Sequence, residues 1–168
     1  ISSPFDESGI DIQMTTLLGK DESANSYVRT IFHVPGRDIT FADEANGDKK
    51  AVFDVVAVVL DEKGKVAEEF NRTYPIRIPA RGVPTVQQNG LDFSTDIAFK
   101  KPGVYTLRLA VRDNNSKRLG TAGDFVEVPN PKSDKFFVSG LITSEISSDG
   151  KPKPLTGQIV LVTGGAGA

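Results

Sequence analysis

The sequence predicts an all-β protein: an immunoglobulin-like β-sandwich with an additional C-terminal strand segment. Three observations carry this reading. The run Gly103 to Asp113 follows a Lys101-Pro102-Gly103 turn and alternates with period two, so Tyr105, Leu107, Leu109 and Val111 face one way and Thr106, Arg108, Ala110 and Arg112 the other. A tyrosine opening such a strand fits a tyrosine corner, in which the ring enters the core and the hydroxyl ties down the preceding loop. Finally, other short alternating runs are bounded by turn residues drawn from 16 Gly and 10 Pro, and no convincing amphipathic helix interrupts them.

In chain order, Ile10, Ile12 and Met14 alternate with polar residues and predict a first strand. Tyr27 to Val34 predicts a second, ending at Pro35-Gly36, with residues 38–41 continuing its ladder after the break. Residues 42–50 carry five charges and read as a solvated loop. Ala51 to Leu60 is the most apolar run and predicts a strand covered on both faces. Residues 61–65 turn it into a hairpin. The return is less regular: Val66 to Phe70 fits a strand or a helical turn, and Pro75 places Thr73 to Ile78 at a sheet edge.

Leu91, Phe93, Thr95, Ile97 and Phe99 alternate cleanly with Asp92, Ser94, Asp96 and Ala98. After the Tyr105 strand, Asp113 to Ser116 forms a turn. Leu119 to Val128 closes a hairpin, with Gly120 and Gly123 predicting a bulge. The sandwich therefore occupies residues 1–142, and 143–168 form a connector plus a last strand. Within it Ile159, Val160, Leu161 and Val162 are the expected assembly interface. A strand that cannot satisfy its backbone in its own sheet adds to the edge of another; the alternative is that it supplies one more strand to its own domain. The expected partner is another copy of the chain, by head-to-tail strand exchange, or another surface protein.

Composition narrows the function classes. A net charge of −2 gives no electrostatic basis for nucleic-acid binding. The absence of cysteine removes disulfides and thiolate metal sites. The longest apolar stretch, Val55 to Leu60, is too short for a membrane span, which takes about 20 residues. Beginning at Ile1 rather than Met is what a processed or excised chain would show, and is compatible with a mature exported protein.

Candidate chemistry is sparse. His33 is the only histidine and sits mid-strand, with no Gly-x-Ser-x-Gly elbow to accompany it, so a cross-strand or half-buried role is expected. Asp43, Glu44, Asn46 and Asp48 form the best oxygen cluster but lack EF-hand order. Asp54 lies inside the most apolar strand, either facing outward or buried and hydrogen-bonded. Asp92 and Asp96 share a strand face, yet with no Trp and three Tyr there is little on which a sugar could stack. Asn71-Arg72-Thr73 is a weak glycosylation sequon. No catalytic residue, metal or cofactor is expected.

Three segments taken together carry a family resemblance. Tyr27 to Val34 with Arg37 to Phe41, Pro102 to Asp113, and Arg118 to Pro129 resemble the β-rich region C-terminal to the von Willebrand factor A-type domain in acidobacterial VWFA-related proteins. The resemblance covers residues 1–142 and implies an exported bacterial protein acting in surface interaction or assembly. The Asp-x-Ser-x-Ser metal pattern of an A-type domain does not occur, so metal-dependent adhesion is not carried over. The expected function is therefore non-enzymatic protein–protein contact outside the cell or at its surface, as a self-assembling fibre subunit. The alternative is a passive spacer or carbohydrate-binding module.

Overall fold

The structure, a computed structural model, describes residues 9–20, 26–99, 101–130, 145–146 and 152–153. Two antiparallel sheets pack as a β-sandwich. The smaller contains β1 (Gln13–Lys20), β2 (Ser26–Val34) and β6 (Leu91–Phe99), in the order β1-β2-β6. The larger is built on β4 (Lys49–Leu60), paired on one side with β5 (Val66–Ile78) and on the other with β7 (Gly103–Asp113), which pairs in turn with β8 (Leu119–Val128). A two-residue strand, β3 (Ala42–Asp43), pairs with Lys49 and Lys50 before β7 begins. Further on, β9 (Glu145–Ile146) and β10 (Pro152–Lys153) pair with each other.

Alternation decides the core. Tyr105, Leu107, Leu109 and Val111 on β7 are buried, as are Ala51, Phe53, Val55, Ala57 and Val59 on β4. The smaller sheet contributes Val28, Phe32, Phe93, Ile97 and Phe99. Phe93 is the hub: its ring stacks on Phe32 at 5.1 Å and meets Phe53 and Tyr74 edge-on at 5.8 and 5.1 Å. Such ring pairs add about 0.5–1.5 kcal/mol each beyond their burial.

Several expectations need correction. Residues 38–41 do not extend β2. A 3₁₀ turn at Gly36–Asp38 redirects the chain toward the larger sheet, where β3 forms. Among the described residues the run 51–60 is covered on one face only, because its outward side lies on the outside of the sandwich, where Val56 is 41% exposed. Residues 66–78 form one continuous strand that pairs only with β4 among the described residues, which leaves Pro75 on an edge. No bulge occurs in β8, whose pairing with β7 is one-to-one from Leu119 to Val128. Ile10 and Ile12 are buried ahead of β1 rather than within it.

One helix was not expected from the sequence: α1 (Val83–Asn89), with Pro84 in its first turn. It ends at Gly90, whose φ of +72° is a conformation that favours glycine. A Cβ there would also lie 2.5 Å from Val34 O.

Candidate functional site

The outer face of the larger sheet is the most distinctive surface. Strand register sets its rows: Thr73–Asp54–Arg112–Leu119, then Asn71–Val56–Ala110–Thr121, then Glu69–Val58–Arg108–Gly123. Beyond these, Leu60 pairs with Thr106, and Thr106 with Phe125.

One end of this face is polar. The Thr73 hydroxyl donates to Asp54 Oδ1 at 2.6 Å. That bond, with a second from the Asn114 side chain and the nearby charge of Arg112, holds the Asp54 carboxyl below its ordinary pKa. A shallow depression opens between Asp54, Asn71, Thr73 and Arg112. Toward the other end large apolar side chains are exposed among the charges of Glu69, Arg108 and Glu127: Phe125 is 77% exposed, Val66 60% and Val104 44%, while Val56, 41% exposed, borders the depression. All four belong to this one face, by the register of their strands with outward residues.

The outer face of the smaller sheet is charged. Arg29 and Asp96, directly opposite across β2 and β6, form a two-bond pair at 2.8 Å each. Arg29 holds the Asp96 carboxyl below its ordinary pKa, and Asp96 in turn raises that of Arg29. His33 is half-buried and contacts Asp92 through Nδ1 at 2.8 Å, again across the same two strands. Each acid of the Asp92/Asp96 pair is thus engaged by its cross-strand neighbour. For Asp96 the lowered pKa keeps the carboxyl ionised, the wrong state for a proton donor near neutral pH.

The acidic stretch 43–48 closes the hairpin between β3 and β4. Asp43 pairs with Lys49, Glu44 with Arg77 at 3.1 Å, and Asn46 with Asp48 at 2.8 Å. Among the described residues no group of three or more His, Asp or Glu is placed to hold a metal ion, and no helix is long and apolar enough to cross a membrane. Asn71 is exposed on the edge strand β5.

Tyr105 packs edge-on against Phe99 at 4.7 Å, and its hydroxyl donates to Lys101 O at 2.9 Å. The expected assembly residues Ile159, Val160, Leu161 and Val162 lie outside the described residues. Sequence reasoning missed the outer face of the larger sheet, although one signal was present. Phe125 is out of phase with Val126 and Val128 at the alternating end of β8, where one of the two sets has to face away from the core. Compared with models of known protein families and with curated protein sequences, the chain matches none.

Proposed function

We propose that this chain is an exported, non-enzymatic module of the immunoglobulin-like class, acting by protein–protein contact. Its contact surface is the outer face of the larger sheet and its partner another copy of the chain. The class is supported by a strand order that sets β1-β2-β6 against β5-β4-β7-β8 and by the hydroxyl of Tyr105 reaching back to Lys101. Export follows from the resemblance to the VWFA-related proteins.

One observation carries the contact reading: the large hydrophobic side chains most exposed among the described residues, headed by Phe125, gather on one sheet face. Four strands at about 4.8 Å spacing and eight residues at about 3.4 Å give a face of roughly 500 Å². A face-to-face pair would bury about 1,000 Å² in total, the lower bound for a specific interface, so the contact is of modest strength. Sedimentation velocity over a wide concentration range tests it. Reversible association that Phe125→Lys abolishes, with the melting temperature unchanged, is the expected result. A chain that stays monomeric throughout, or an association indifferent to Phe125→Lys, overturns it.

A further inference from the structure

Asp54 on β4 and Arg112 on β7 are cross-strand neighbours, yet they do not pair within the chain. The Asp54 carboxylate accepts from Thr73, which stands on the opposite side of β4 from Arg112. Arg112 is exposed, and among the described residues its guanidinium makes no hydrogen bond or ion pair. An acid and a base thus stand side by side on the outer face of the larger sheet, and the base still has its donors to give.

Sheets packed face to face lie about 10 Å apart, with their strands within about 30° of each other. Two copies meeting symmetrically by this face are related by a two-fold axis in the plane between them, running either across the strands or along them. An axis across the middle of the strands sets Asp54 over Leu60 of the second copy and Arg112 over Thr106. Both charges are then covered without a counter-charge, which is costly. An axis along the strands, midway between β4 and β7, instead lays each row on the same row of the second copy in reverse order. Asp54 then faces Arg112 of the second copy, and Arg112 faces its Asp54. The remaining rows are compatible with this. Val56 meets Ala110, Glu69 lies over the bare backbone of Gly123, and Phe125 covers Val66. None of the four rows sets like charges directly opposite each other.

Resting on the outer-face contact described above, we propose that the two copies meet about a two-fold axis along the strands between β4 and β7, held in register by two Asp54–Arg112 ion pairs between copies. A short acid and a long base together bridge a gap of about 10 Å. Both residues are on the two central strands, beside the axis, where sheet twist displaces facing positions least. Pairs of this kind fix orientation and exclude wrong arrangements more than they add affinity. The contact is isologous, so it closes at two copies; this face gives a dimer and not a fibre.

Charge exchange tests the arrangement. Asp54→Arg and Arg112→Asp are made separately in the full chain. In each variant alone both pairs between copies become like-charged, and self-association measured by sedimentation velocity should weaken roughly tenfold or more. Melting temperatures should stay close to that of the unchanged chain, because both side chains point outward. Mixed in equal amounts, the two variants should form a mixed dimer in which both pairs are attractive again. If either variant melts well below the unchanged chain, Asp54→Asn and Arg112→Gln serve instead, and their mixture regains one of the two pairs. A mixture that associates no better than its components, or variants that associate like the unchanged chain, overturns the arrangement; loss of association in Phe125→Lys would still uphold the outer-face contact. An unchanged chain that stays monomeric overturns both.

Discussion

The carboxylate of Asp113, at the end of β7, accepts the backbone N–H of Thr40 at 3.0 Å, across 73 positions of chain. The same fully buried side chain accepts from Asn115 N at 2.8 Å and Ser116 Oγ at 2.9 Å. Asn115 adds its own amide to Thr40 O at 2.8 Å and Lys50 O at 3.1 Å. One acid thus fastens the β7–β8 turn to the segment that crosses between the sheets. Asp113→Ala strands several donors at once, and since an unpaired buried polar group costs about 1–3 kcal/mol, a loss of about 2–4 kcal/mol is expected. Urea unfolding measures it; a loss under about 0.5 kcal/mol, typical of surface sites, would show that the latch adds nothing.

Tyr105 offers a test with a pH signature. Burial, then the charges of Asp61, Glu62 and Glu68, push its phenol pKa above the ordinary value of 10.0. The folded state therefore holds this proton more tightly than the unfolded state. Its contribution is fully present below pH 10 and is lost as pH rises through the higher folded value. Tyr105→Phe removes the bond to Lys101 O and should cost roughly 0.5–1.5 kcal/mol near neutral pH. It should also flatten the alkaline fall in melting temperature. An alkaline limb identical in both proteins would contradict the assigned burial of the phenol.

Period-two patterns made much of the sandwich readable. In 91–99 every second residue but Thr95 is apolar, as is every second residue in 105–111, and those sets line the core. What stayed hidden depends on contacts between distant positions. Asp38 accepts from Asp11 N at 3.1 Å and from Arg118 at 2.9 Å, the latter 80 residues away, and no local pattern marks such an acid as a buried acceptor. Helix α1 is too short, at seven residues, to display a helical repeat; Pro84 and Gly90 were its only punctuation. The outer face of the larger sheet was hidden for another reason. Val52, Val56, Val58 and Leu60 look like core in sequence, and only the absence of a facing layer among the described residues distinguishes them from Phe53 and Val55.

At the acid end the direction reverses. Hydrogen bonds from Arg29 lower the Asp96 pKa in the folded state, so the pair's contribution is present above the ordinary carboxylate value of 3.8 and fades as pH falls below it. Both side chains are nearly half exposed, and salt screens such a pair. Asp96→Asn should leave the melting temperature at pH 7 almost unchanged in physiological salt while making its decline below about pH 4 shallower. A large drop at pH 7 would show that the pair holds the two strands together rather than decorating them.

Gly120 and Gly123 sit three residues apart on β8, and the structure assigns them opposite responses to the same change. A Cβ on Gly120 would lie 2.3 Å from Ile10 O and 2.8 Å from Ile12 Cγ1, because the segment leading into β1 packs directly on this backbone. A Cβ on Gly123 meets nothing closer than Leu107 O at 3.4 Å, an ordinary contact. Neither position has a positive φ, so strain does not blur the comparison. Gly123→Ala should stabilise by about 0.4–1 kcal/mol through the reduced freedom of the unfolded chain. Gly120→Ala gains the same term but must push Ile10 and Ile12 out of place, an overpacking cost of about 1–3 kcal/mol, and should come out destabilised. Equal stability of the two variants in urea unfolding would mean that residues 10–12 do not seal this side of the sandwich.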